Sequence, residues 1–282
     1  MPTNMEVLTP PSPDAEFRYV LFDFDGTLSL IREGWQEIMI PYFTEVLLQA
    51  PKAAAEKTAT EKTVKEIVTA FVDRLTGKQT IFQCLKLDEE VVLRGGNRVA
   101  PGIYKAEYLR RLGERIQSRL AELRSGTDPQ KYLVPGSVPL LERLKSKGYK
   151  LYLASGTDEP DVLAEAKLLG LDKYFGEHIY GARDNETACS KEMVIKQIVK
   201  ENNLTGAELV SFGDGFVEIE LVAGIGGYTV GVATDEVRKQ GVNQHKRARL
   251  LEAGAAMIIP DFSDTERLVS FIFSERSRGH TC

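Results

Sequence analysis

The stretch RYVLFDFDGTLS, residues 18–29, runs apolar as far as Phe22 and then sets two aspartates, Asp23 and Asp25, beside Gly26 and Thr27. A short continuous apolar run bounded by turn residues is the pattern of a strand in a sheet covered on both faces. KLYLAS (150–155), ELVSFG (208–213) and YTVGVA (228–233) repeat it, and AMIIPD (256–261) makes a fifth. Helical patterns separate the later runs: Val162, Leu163, Ala166 and Leu169 after the second, and Val194, Ile195, Ile198 and Val199 before the third. Strand alternating with helix predicts an α/β fold, a Rossmann-like, doubly wound, mainly parallel sheet.

The interval between the first two strands breaks that rhythm. More than a hundred residues lie between Leu28 and Gly136, where a simple crossover unit takes about 30. Val64, Ile67, Val68, Phe71, Val72 and Leu75 form one apolar stripe at helical spacing, and Tyr104, Tyr108, Leu112, Ile116 and Leu120 form another. An inserted all-helical cap follows. The predicted organisation is a disordered leader (1–16), an α/β core (17–28 and 136–274), a helical cap (29–135) and a disordered tail (275–282).

Composition narrows the function. The chain has 282 residues, 43% of them hydrophobic and 27% charged, and its 36 Lys and Arg against 41 Asp and Glu give a net charge of −5. Without a basic tract there is no footprint for nucleic acid. No apolar run approaches the roughly 20 residues of a membrane span. Cys84, Cys189 and Cys282 are odd in number and widely spaced, which fits a reducing, cytoplasmic setting and neither a disulfide framework nor a zinc site.

Ligands of open α/β sheets bind at the carboxyl ends of the strands. The first strand ends in Asp23 and Asp25, the second in Ser155, Gly156, Thr157 and Asp158, and the third in Gly213, Asp214 and Gly215. Asp23, Asp25 and Asp214 make a hard, oxygen-only set suited to Mg²⁺. The three histidines, His178, His245 and His280, fall off these strand ends, so zinc and a Ser-His-Asp triad are unsupported. Lys191 stands at a helix start behind Ser190, where a cation opposes the helix dipole, and a locally disfavoured charge points to an anionic neighbour.

D-x-D-G-T (Asp23 to Thr27), a strand-end Ser155-Gly156, Lys191 before a helix and G-D-x-x-x-E (Gly213 to Glu218), in that order and with a helical insert after the first, resemble the haloacid dehalogenase superfamily. The match is to its capped phosphatase branch, which includes phosphoglycolate phosphatases and β-phosphoglucomutases. That resemblance implies Asp23 as nucleophile forming an aspartyl phosphate, and Asp25 as general acid and then base. It implies Ser155, Gly156 and Lys191 around the phosphoryl oxygens, and Asp23, Asp25 and Asp214 on Mg²⁺. Where the family's last motif usually carries a second aspartate this chain has Glu218, which would reach the metal through water or serve as an outer partner.

The implied activity is Mg²⁺-dependent hydrolysis of a small phosphorylated metabolite, such as a sugar phosphate, with no nucleic-acid or membrane partner. A hexose phosphate mutase shares every core residue and is the nearest alternative; a haloacid dehalogenase or phosphonatase would have no use for Asp25, and a non-catalytic binding protein would be expected to have lost a catalytic position. Substrate choice falls to the cap, where Thr76, Gly77, Lys78 and Gln79 of LTGKQT are the expected contact loop. Arg183 and Asn185, in the loop before Lys191, fit either an approach to the same rim or a solvated loop, and Trp35 is expected to be cap packing rather than a sugar-stacking surface.

Overall fold

A computed structural model describes residues 5–51, 61–183 and 190–273, with only the backbone of Ser190. Its centre is a seven-stranded sheet of order β1-β7-β6-β5-β2-β3-β4. The strands are β1 (Glu6–Val7), β2 (Tyr19–Phe22), β3 (Lys150–Asp158), β4 (Ile179–Ala182), β5 (Leu209–Gly213), β6 (Tyr228–Val232) and β7 (Met257–Ile259). All pairings are parallel except that of β1 with β7.

β2 lies between β3 and β5, with Phe22 level with Leu153 and Phe212. Its alternate residues serve two separate cores, because successive strand side chains point to opposite faces. Val20 and Phe22 enter the larger cluster, where the Phe22 and Phe212 rings stack 5.0 Å apart. Leu21 enters the other, with Tyr152, Val194 and Ile195. Helices therefore cover both faces, and only the carboxyl ends of β2, β3 and β5 are left open for polar residues.

Between β2 and β3 lie α1 (Gln36–Leu48), α2 (Glu61–Arg74), α3 (Thr80–Leu93), α4 (Pro101–Arg124) and a 3₁₀ turn at Pro129–Tyr132; α5 (Ser137–Ser146) leads into β3. The stripes read from the sequence face inward: Val64, Val68, Phe71 and Val72 on α2, and Tyr104, Tyr108, Leu112 and Ile116 on α4, are buried. The strand-like linkers into and out of this helical insert run side by side, with Leu30 N–H donating to Tyr132 O (2.8 Å) and Val134 N–H to Leu28 O (3.0 Å). The remaining helices are α6 (Glu159–Leu168), α7 (Asp172–Phe175), α8 (Ser190–Glu201), α9 (Phe216–Gly224), α10 (Gln244–Glu252) and α11 (Thr265–Phe273).

Two elements depart from the sequence expectation. The leader was expected to be disordered, yet from Glu6 it is an edge strand on β7: Leu8 and Thr9 donate to Ala256 O, and Glu6 pairs with Arg247 at 2.5 Å. Its two-residue length and polar flanks carry no periodicity, so only the long-range pairing reveals it. β4, likewise, is a four-residue edge strand containing Gly181, too short for a pattern to stand out. The expected disordered tail, 275–282, lies outside the described residues. Among the described residues no helix is long and apolar enough to cross a membrane.

Candidate active site

The carboxyl ends of β2, β3 and β5 and the start of α8 bring Asp23, Asp25, Ser155, Gly156, Lys191 and Asp214 onto one cleft. Asp23 follows the last residue of β2, its N–H bonded to Phe212 O. Its carboxylate accepts from Phe24 N–H at 2.7 Å and meets Lys191 Nζ at 2.8 Å. Lys191, 1% exposed, also holds Glu218 Oε2 at 2.7 Å. Burial pushes the Asp23 carboxyl well above its usual range, and the nearby charges of Glu218 and Asp214 add to the push that Lys191 resists.

The chain after β2 turns sharply, with Gly26 at φ +75° and its Cα facing the Asp214 carboxylate so closely that a Cβ would press into it. Glycine is the residue for that position, since it needs both positive φ and no side chain. Thr27 Oγ1 accepts from Asp214 N–H at 2.9 Å, tying the first motif to the third strand end.

Asp25 has unequal oxygens. Oδ2 accepts from Ser155 Oγ (3.1 Å) and Thr157 Oγ1 (2.8 Å). Oδ1 is buried and accepts no hydrogen bond among the described residues; Arg32 Nε lies 4.0 Å away.

Oxygens of Asp23, Asp214 and Glu218, all buried, lie within 4.8 Å of one another. An all-oxygen set of carboxylates crowded into a buried corner fits a hard divalent cation such as Mg²⁺. Glu218 is already occupied: Oε1 accepts from Gly215 N–H at 3.0 Å while Oε2 holds Lys191. Of the two roles expected for it, partner to the lysine is the one this geometry displays.

The expected cap loop reaches the site in part. Thr76, Gly77 and Lys78 line the cleft, and Lys78 O lies where a Cβ on Gly156 would come within 2.7 Å. Gln79 is different. Its side chain is 2% exposed and belongs to the neighbouring groove with Ile81, Phe82 and Lys105, because α3 begins at the next residue and turns it away. Trp35, expected to be packing only, touches the core cluster but also walls the cleft. Arg183 is paired with Glu159 on the surface (3.1 Å), and Asn185 lies outside the described residues, as does the side chain of Ser190.

Sequence reasoning named Thr157 only as a strand-end residue without a role, and missed Arg32 and, above all, Lys246. Lys246 Nζ sits 2.6 Å from Asp214 Oδ2 and 2.5 Å from Glu236 Oε1. Burial opposes ionisation of Asp214, but Lys246 carries its carboxyl below the ordinary value. The signal that singled out Lys191 was present here too: Asn243 caps α10, accepting from the N–H groups of His245 and Lys246, so Lys246 is again a cation in a first helical turn.

A parallel α/β sheet with an inserted helical unit and an acid-lysine cluster at its carboxyl edge defines a class of hydrolase. The family model for haloacid dehalogenase-like hydrolases matches residues 17–226, and the chain belongs to that family. No curated protein matches it. Solved structures agree in fold. A haloacid dehalogenase-like protein of unknown function from Agrobacterium tumefaciens is 16% identical at a TM-score of 0.55, over 90% of this chain and 98% of that one. A predicted phosphoglycolate phosphatase from Haemophilus somnus is 18% identical (TM-score 0.54; 90% and 98%). A candidate β-phosphoglucomutase from Thermotoga maritima is 19% identical (TM-score 0.51; 90% and 99%).

Proposed function

We propose that this hydrolase is a Mg²⁺-dependent phosphomonoesterase acting on a small phosphorylated metabolite, such as a sugar phosphate, in the cytoplasm, with residues 29–135 as its cap. The observation that carries this reading is the asymmetry of Asp25: one oxygen fixed by two hydroxyls, the other buried without a hydrogen bond, two residues from a lysine-paired Asp23. An acid/base needs an oxygen not already engaged in a hydrogen bond.

A carboxylate oxygen of Asp23 attacks phosphorus and the bond to the ester oxygen breaks, leaving an aspartyl phosphate. Asp25 gives its proton to the departing oxygen. Water then attacks the same phosphorus, the Asp23–phosphorus bond breaks, and Asp25 takes the water's proton. Ser155, the Gly156 amide and Lys191 hold the phosphoryl oxygens, and the fixed Lys191 charge serves nucleophile and phosphate alike. Asp23, Asp25 and Asp214 would hold Mg²⁺, which would supply positive charge against the phosphoryl group. Thr76, Gly77 and Lys78 present polar groups to the leaving group, and the cap excludes water.

The test is a panel of phosphorylated metabolites assayed with Mg²⁺ for wild type and Asp23→Asn. Phosphate release by wild type and none by the variant is expected; release that survives the substitution overturns the mechanism. Isomerised product without free phosphate would make the protein a mutase.

A further inference from the structure

We infer that Arg32 is a positioning residue for Asp25, fixing the carboxylate that protonates the leaving group. The inference rests on the acid role proposed for Asp25. Arg32 lies on the linker between β2 and α1 and is 7% exposed. Both sides of it are gripped by α4: Arg119 Nη1 donates to Ile31 O (2.8 Å) and Glu33 O (2.9 Å), and more weakly to Leu30 O (3.3 Å). Its guanidinium is held by the sheet's own helix. Nε and Nη2 both reach Glu165 on α6, Nη2 at 2.7 Å, and Nη2 also meets Asp161 at 3.0 Å. A planar fork bonded at two nitrogens cannot turn.

Nε, whose N–H is directed at Glu165, also lies 4.0 Å from Asp25 Oδ1, within charge-pairing distance but without a hydrogen bond. With Ser155 and Thr157 on Oδ2, the Asp25 carboxylate has hydroxyls at one end and a fixed positive charge at the other, so its orientation in the cleft is set. When the proton leaves Oδ1, negative charge develops beside a guanidinium already in place, with no reorganisation at that moment. A purely structural arginine, pinning α6 to the linker, would satisfy Glu165 and Asp161 but need not line the cleft, as Arg32 does.

The experiment separates these roles by leaving group. An alkyl phosphate that the wild type hydrolyses needs its departing oxygen protonated, whereas 4-nitrophenyl phosphate releases a stable phenolate. kcat/KM, which reports the first phosphoryl transfer, is measured on both for Arg32→Met, Arg32→Lys, Glu165→Gln and Asp25→Asn. General acid catalysis is worth about 10²–10⁴-fold, so misplacing the acid in Arg32→Met should lower the alkyl value at least about tenfold and the aryl value less than about threefold. Arg32→Lys, which keeps the charge and loses the fork, should show the same asymmetry, and Glu165→Gln a smaller one. Equal losses on both substrates, or no loss, overturn the inference, and Arg32→Lys carries the test if Arg32→Met does not fold. If Asp25→Asn itself fails to discriminate the substrates, the acid role falls; if it discriminates and the Arg32 variants do not, only the role of Arg32 falls.

Discussion

Lys246 Nζ bridges Asp214 Oδ2 at 2.6 Å and Glu236 Oε1 at 2.5 Å, in a corner where neither the lysine nor Asp214 is more than 9% exposed. Lys191 does the same for Asp23 and Glu218. The acid cluster is thus threaded by two buried lysines, each shared between two carboxylates. Removing one partner of a buried pair costs about 3–5 kcal/mol because a charge is left unpaired. Lys246→Met should therefore lower the melting temperature of the metal-free protein, and Mg²⁺ should raise it more in the variant than in wild type, since a divalent cation supplies the missing charge. Thermal unfolding with and without Mg²⁺ checks both; an equal or smaller Mg²⁺ effect in the variant would separate Lys246 from the cation site.

Gly156→Ala tests the seat of the cap loop. A Cβ there would come 2.7 Å from Lys78 O and 3.1 Å from its carbonyl carbon, and backbone does not yield as a side chain tip does. The loop should be lifted off the cleft, with kcat/KM on metabolite phosphates down by roughly tenfold, about 1.4 kcal/mol, and the melting temperature nearly unchanged. Wild-type kinetics would show that the loop sits elsewhere during turnover.

Cys84 is fully buried in the helical insert, and burial pushes its thiol up to about 12. A thiol that stays protonated is a poor nucleophile. After brief alkylation of the native protein at pH 8, mass spectrometry should find Cys84 unmodified, and modified once the chain is unfolded.

Burial also drives the Glu165 carboxyl up to about 7, against the pull of Arg32. An acid raised in the folded state binds its proton more tightly there than in the unfolded chain. Its contribution is thus complete below about pH 4.5 and lost as pH rises through 7, by on the order of 3 kcal/mol for a shift of about 2.5 units. Denaturant midpoints between pH 5 and 8 should fall more in wild type than in Glu165→Gln. Parallel slopes would show that Glu165 stays ionised throughout.

Much of the fold was legible because its signals are local. β2, β3, β5, β6 and β7 are apolar runs, and the stripes of α2 and α4 bury as their spacing requires. Asp23, Asp25, Ser155, Lys191 and Asp214 could be gathered on paper because parallel strands put their carboxyl ends on one edge. Lys246 could not, because its partner Asp214 is far away in the chain, and Arg32 could not, because the guanidinium beside Asp25 is held there by Glu165, 133 residues on. Gln79 follows three cleft residues in sequence yet lines the neighbouring groove, because its extended backbone ahead of α3 sends its side chain to the other side of the chain from Lys78 and Thr80.

The amino-acid sequence by itself determined the alternation of strand and helix, the helical insert after β2, and the residue types at the strand ends, all consequences of periodicity and turn chemistry acting over a few residues. Only the tertiary structure decided which charges pair. Glu218 serves Lys191, Lys246 serves Asp214, and Arg32 reaches from the linker to Asp25. Those partnerships depend on distances of a few ångströms between segments separated by 27, 32 and 7 residues respectively, and Coulomb interactions in a buried site are set by such distances, not by order along the chain.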